Sequence, residues 1–214
     1  MYQAELDLLR ATRARTLALV EGLSQAQMDF SPAPGKWSVG ELLDHLLLSE
    51  QVYRDQIAQL IELKKAGQKP VLKRTFADLN VSVGFIPKSL LPFLDVPFSL
   101  LNLVTPSSVR ESMIRYPLVP AQTSDKTTPR QGRPTDELRG ELLSSFKETE
   151  ALLEANPNLD YREMVSEHPL MGTNNALQLL RITAVHEQRH QDQISKILAL
   201  PQFPKPVGDQ DVSS

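Results

Sequence analysis

The sequence predicts an all-α fold, a four-helix bundle with a long Pro-rich, partly helical insert between helices 2 and 3. Three observations carry that expectation. Apolar residues recur at helical spacing in four long stretches. No run alternates as a half-buried strand would, and no fixed-period repeat is present. Prolines concentrate from Pro70 to Pro134, where the helical pattern breaks.

The first helix is expected over about Gln3–Gln27, with Leu8, Leu9, Thr12, Thr16, Leu17, Val20 and Leu23 on one face. The turn "FSPAPGKWSVGE" then leads into the second. Ser38 and Glu41 form an S-x-x-E capping box, and Trp37 with Leu42 has the spacing of a hydrophobic staple, so the N-cap falls at Ser38. This helix runs to about Ala66, with Gly67 as its stop. Residues 68–133 form the insert. Short helices near 86–104 and 106–114 fit it, and "YPLVPAQTSDKTTPRQGRP" reads as extended loop. The third helix covers about Thr135–Ala155. After the connection "ANPNLDYREMVSEHPLMG", the fourth runs about Asn174–Leu200, capped by Thr173 or Asn174 and stopped by Pro201. Residues 1–200 make one domain, and 201–214 a flexible tail. Four such helices with one long crossover describe a bundle.

Composition removes several function classes. The formal net charge of −3 gives no basic excess for nucleic acid or an anionic membrane surface. The absence of cysteine removes disulfides, thiolate nucleophiles and Cys-ligated metal. The apolar stretch 83–106 is broken by Lys88, Asp95 and four prolines, so it does not read as a membrane span. The N-terminal stretch lacks a signal-peptide core. A cytoplasmic protein is expected.

The chemistry-bearing motif is "HEQRH", residues 186–190, on helix 4 near the end of the chain. It fits H-E-x-x-H, the spacing of a zinc-peptidase helix. At 100° per residue His186 and His190 fall on the apolar face with Leu179, Ile182, Thr183, Ile194, Ile197 and Leu198. Arg181, Gln188, Arg189, Asp192 and Lys196 lie on the opposite face. Two imidazoles buried one turn apart need partners for their ring nitrogens, and one cation serves both. Two structural histidines satisfied by other groups are the alternative. A peptidase would need a third ligand after the motif. "QDQISKIL" supplies no histidine, and no glutamate follows Glu187.

The third ligand is therefore sought upstream, at His45 or His168. His45 shares the apolar half of helix 2 with Leu42, Ser49 and Val52, away from Asp44, Gln51 and Asp55. It is preferred over His168, which lies in a loop before a proline. His45, His186 and His190 would leave positions open for water or substrate. Glu187 is the candidate general base, against a boundary carboxylate paired with Arg or Gln. Glu41 and Gln193 could orient ligands, although capping and boundary packing also account for them. Trp37 could wall a pocket. Arg110, Arg115, Lys126, Arg130 and Arg133 could hold an anion or be scattered surface charges. The apolar insert could cover the site, pack in the core or form an interface.

"KWSVGELLDHLLLSE" together with "HPLMGTNNALQLLRITAVHEQRHQDQI" resembles the DinB-like superfamily, which includes thiol-S-transferases using bacillithiol or mycothiol and metal-dependent hydrolase-like proteins. Trp37, Ser38, His45, His186, His190, Gln193 and Ile194 stand where the family pattern has them. The resemblance implies an up-down-down-up bundle, a divalent metal, zinc or nickel, on His45, His186 and His190, and a homodimer. It does not fix the reaction. The expected function is a divalent-metal-dependent enzyme of thiol-S-transferase or hydrolase type. It would act on a small-molecule substrate, with a low-molecular-weight thiol or a water activated at the three histidines. The alternatives are a non-catalytic, stress-related metal-binding bundle and an H-E-x-x-H zinc peptidase.

Overall fold

A computed structural model describes residues 2–74, 125–168 and 172–205. Five α-helices are present among them: α1 (Gln3–Leu19), α2 (Gln25–Met28), α3 (Val39–Lys65), α4 (Thr135–Glu154) and α5 (Ala176–Leu198). Strands β1 (Val71–Lys73), β2 (Val165–His168) and β3 (Gly172–Asn175) form one small sheet. Asp125–Thr127 is a 3-10 turn. The short helices expected within 86–114, and the role expected for the apolar insert, fall outside the described residues.

The four long helices form a ring in the order α1–α5–α3–α4, with α4 closing back on α1. Two apolar clusters fill it from opposite ends. One gathers Leu6 and Leu9 of α1, Ile57, Leu60 and Ile61 of α3, Leu153 of α4, and Leu179 and Leu180 of α5. The other gathers Val20 just after α1, Leu42, Leu43 and Leu46 of α3, Leu138 and Leu142 of α4, and Ile194 and Ile197 of α5. Read along the chain, α1 and α5 pass from the first cluster to the second, and α3 and α4 pass the other way. The bundle is therefore up-down-down-up. The chain must cross its full length between the parallel neighbours α3 and α4, which explains why the longest connection falls there.

The capping box at Ser38 is present in both directions. The Glu41 amide donates to Ser38 Oγ at 3.1 Å and the Ser38 amide to Glu41 Oε2 at 2.9 Å. Three expectations need correction. The first helix stops at Leu19, not Gln27; Gly22 takes φ 73° and the chain restarts at a second capping box, Ser24 with Gln27. The last helix is capped by Asn175, whose box partner is Gln178, and not by Thr173 or Asn174, which pair in β3. A sheet exists where none was expected. β1 runs parallel to β2 (Val71 opposite Val165), and β2 antiparallel to β3 (His168 opposite Gly172). These strands of three or four residues are too short to display an alternating pattern. Leu72 and Met164 join them to the first apolar cluster.

The chain after α5 is also tied down as far as it is described. Phe203 meets Phe30 edge-on, ring centroids 5.5 Å apart, and Gln27 Nε2 donates to the Pro204 carbonyl at 2.8 Å. The rest of the expected tail, 206–214, lies outside the described residues. Among the described residues no helix is long and apolar enough to cross a membrane.

Between the two apolar clusters lies a buried polar layer. Arg13 of α1 is 2% exposed and reaches all three other long helices. It donates to Glu187 of α5 (Nε to Oε1, 2.9 Å; Nη2 to Oε2, 3.0 Å), to Glu50 Oε2 of α3 at 2.8 Å and to the Leu142 carbonyl of α4. Thr149 donates to Glu50 Oε1 at 2.9 Å, Thr16 to Glu187 Oε1 at 2.6 Å, and Gln191 to Thr16 Oγ1 at 2.9 Å. Two carboxylates against one guanidinium leave a buried formal charge of −1, tolerable only because hydroxyls supply the remaining donors.

Candidate metal centre

The three histidines singled out in the sequence meet at the level of this polar layer. His45 comes from the second turn of α3; His186 and His190 lie one turn apart on α5, the helix packed against α3. One ligand atom from each lies within 4.8 Å of the others. His186 Nε2 is 3.0 Å from His190 Nε2 and 3.3 Å from His45 Nε2. Ring centroids are 4.5–5.1 Å apart with the planes steeply inclined, so the Nε2 edges converge rather than the faces stacking.

These distances can be tested against a metal. Two nitrogens each 2.0–2.1 Å from a common ion are about 3.3 Å apart at a tetrahedral angle and about 2.9 Å at a right angle. The observed 3.3 and 3.0 Å fall on these values. The arrangement fits a dication and does not choose between tetrahedral zinc and an octahedral ion such as nickel.

The other ring nitrogens set the tautomers. His45 Nδ1 is 2.7 Å from the carbonyl of Thr127, which can only accept, so Nδ1 carries the proton. His190 Nδ1 donates to Gln193 Oε1 at 2.6 Å. Both rings therefore present an Nε2 lone pair to His186 Nε2. A single proton on His186 can satisfy one of them and strands the other; one cation satisfies all three. Protonation of the rings is disfavoured. Burial foremost pushes His45 below the ordinary imidazole value and His190 down to about 3, and it holds His186 well below that ordinary value. The charge of Arg189 adds to the effect at all three, and neighbouring histidines add to it at His186 and His190. The neutral ring is the ligand form.

Trp37 lies against His45, ring centroids 4.8 Å apart, and also packs on the second apolar cluster. It serves as wall and helix-end packing together. His168, the other candidate third ligand, closes β2 and stands outside the three-histidine group; burial and Arg74 push it down to about 4. Glu41 has no ligand-orienting bond: one oxygen caps α3 and the other accepts from Gln131 at 3.2 Å.

Glu187 sits between the two α5 ligands in sequence but points to α1. Both of its oxygens are engaged, by Arg13 and Thr16, and it is 1% exposed. Asp44, expected on the solvent side, is fully buried under residues 125–134. It accepts from the Arg130 amide at 2.7 Å, the Arg130 side chain at 2.7 and 3.2 Å, and Arg133 Nη1 at 2.9 Å. Burial alone would raise its pKa, but hydrogen bonds from Arg130 and Arg133 hold it below the usual value. Arg133 also pairs with Glu137 and Glu141, so neither arginine is available to an anion. Lys126 is exposed, and Arg110 and Arg115 lie outside the described residues.

Arg13, Glu50, Thr127 and Asp44 are the contributors that sequence reasoning missed. Arg13 carried one signal: it sits inside the α1 stripe of Leu9, Thr12, Thr16 and Val20, where a solvated arginine does not belong.

A family model described as the DinB superfamily matches residues 8–194, which span α1 through most of α5. No curated protein and no solved structure matches the chain.

Proposed function

The chain belongs to the DinB superfamily, and from that premise we propose that it is a divalent-metal-dependent enzyme of thiol-S-transferase or hydrolase type, with His45, His186 and His190 as ligands. The observation that carries this reading is the convergence of three Nε2 atoms at metal-chelating distance, with outward nitrogens bonded to Thr127 and Gln193. When bound, a dication on three neutral imidazoles keeps its full charge and lowers the pKa of a thiol or water that joins it.

The residues of this chain set up that chemistry. Thr127 and Gln193 fix the tautomers of His45 and His190 and raise their basicity. Trp37 shields one side of His45. The chain has no cysteine, so a transferred or attacking thiol would come from a small molecule. A general-base role for Glu187 is not part of this reading, because that carboxylate is held by Arg13 and Thr16. The same engagement, with a third ligand taken from α3, speaks against a peptidase.

A second reading is a non-catalytic bundle in which the metal ties α3 to α5. It is favoured by burial of His45 and His190, 7% and 3% exposed. Metal analysis of protein purified without added metal tests the shared premise. About one equivalent is expected, and loss of it in each of His45→Ala, His186→Ala and His190→Ala. Full occupancy in His45→Ala overturns the three-histidine site. A panel of thiol conjugation and ester hydrolysis then separates the two: turnover that depends on metal supports the enzyme, and its absence across the panel, with metal loss unfolding the chain, supports the staple.

A further inference from the structure

Helix α1 supplies none of the three histidines, yet it grips both helices that do. On α5 each ligand is followed by a residue bonded to α1. Glu187, after His186, accepts from Arg13 Nε at 2.9 Å, from Arg13 Nη2 at 3.0 Å and from Thr16 Oγ1 at 2.6 Å. Gln191, after His190, donates from Nε2 to the Thr12 carbonyl at 2.8 Å and to Thr16 Oγ1 at 2.9 Å. On α3, Glu50 stands five residues after His45 and accepts from Arg13 Nη2 at 2.8 Å. One guanidinium therefore bridges the helix of His45 to the helix of His186 and His190. Glu50, Glu187 and Gln191 are each 1–2% exposed, so these bonds are shielded from water.

A metal centre needs such a bridge. Bonds from nitrogen to the ion are 2.0–2.1 Å long and tolerate about 0.2 Å of error. A slide of about 1 Å of α5 along α3 exceeds that tolerance. It would open the gap to His45 while leaving His186 and His190 together, because those two share a helix. The apolar clusters on either side hold the helices at packing distance, but burial of Leu and Ile side chains has no preferred direction. The planar fork of a guanidinium does, and it meets a carboxylate at fixed angles. Stability alone does not call for a charged layer, since well-packed apolar residues often replace a buried ion pair without loss.

We propose that α1 positions the metal centre, chiefly through Arg13. By holding Glu187 and Glu50 together, Arg13 sets the register of α5 against α3, and with it the gap between His45 and the His186–His190 pair. Gln191 adds a second tie to α1. The inference rests on the metal-dependent reading above. Arg13 is a positioning residue: its bonds run to Glu50, Glu187 and the Leu142 carbonyl, none of them a ligand.

The test uses the full chain with Arg13→Met, Glu50→Leu and Glu187→Leu combined, which removes the charges and keeps the layer filled. Zinc affinity is measured by chelator competition at a temperature where circular dichroism shows the metal-free variant folded. Ligand geometry is read from the visible absorption of the cobalt(II)-loaded protein. The folded variant is expected to bind zinc about tenfold more weakly or worse and to shift the cobalt absorption. Wild-type affinity overturns the positioning role. So does a weaker affinity with an unchanged cobalt spectrum, which reports only the lost negative charge of the layer. Should the triple variant not fold, Gln191→Leu decides in its place, because it cuts the second tie and leaves the ion pairs intact. The same weakening and the same shift are expected there, and the absence of either overturns the proposal. Failure of the wild type to take up zinc, or undiminished uptake by His45→Ala, overturns the three-histidine centre itself, and the positioning role falls with it.

Discussion

Replacing Arg13 by alanine tests whether the buried polar layer holds the bundle together. The side chain is 2% exposed and makes four contacts: two to Glu187, one to Glu50 and one to the Leu142 carbonyl. Its removal strands two carboxylates that are themselves 2% and 1% exposed. Breaking a buried ion pair from one side costs about 3–5 kcal/mol. Two stranded acids argue for more. The hydroxyls of Thr149 and Thr16, which stay bonded to those acids, argue for less. A loss of about 4 kcal/mol is expected, which for a domain of this size lowers Tm by roughly 8–16 °C. Urea unfolding at pH 7 followed by circular dichroism measures it, with an unchanged m-value as the check on two-state behaviour. Replacing Arg13, Glu50 and Glu187 together by Met, Leu and Leu should recover most of the loss. A cost below about 1 kcal/mol for Arg13→Ala, or a triple variant no better than the single one, refutes the reasoning.

Other consequences can be checked separately. Gln193→Leu removes the acceptor of His190 Nδ1 and should weaken metal binding about 10–100-fold in a chelator competition, with little change in Tm of the metal-free protein. Asp44→Asn should loosen residues 125–134 and, through the Thr127 carbonyl, weaken metal binding about tenfold; faster amide exchange confined to that segment is the companion readout. His168 is lowered to about 4 from an ordinary 6.5, so its contribution to stability is complete above pH 6.5 and is lost as pH falls through about 4. His168→Gln should flatten the fall in urea midpoint between pH 6.5 and 4, an effect of up to about 3 kcal/mol; parallel curves for variant and wild type would count against it.

How far the sequence could be read follows from the range of each signal. The box at Ser38 and Glu41 and the apolar stripes act within one or two helical turns, so α3, α4 and most of α5 could be placed from them. His186 and His190 share a helix face by local geometry, and His45 was reachable because its face was apolar. Long-range partners leave no such trace. Asp44 looked solvated because the residues that cover it, Arg130 and Arg133, are 86 and 89 positions away. Glu187 beside two ligands could be read as a general base or as a boundary carboxylate paired with Arg or Gln; only the packing of α1 on α5 shows that its oxygens face Arg13. The sheet escaped because its pairing joins residue 71 to residue 165.

The crossover between α3 and α4 is fastened at both of its described ends. Val71–Lys73 is zipped to β2, and Arg130 is clamped onto Asp44 three residues after Thr127 lends its carbonyl to His45. A change at Asp44 or Arg130 is thereby felt at a ligand imidazole, because only three positions separate the clamp from the carbonyl that holds the ring.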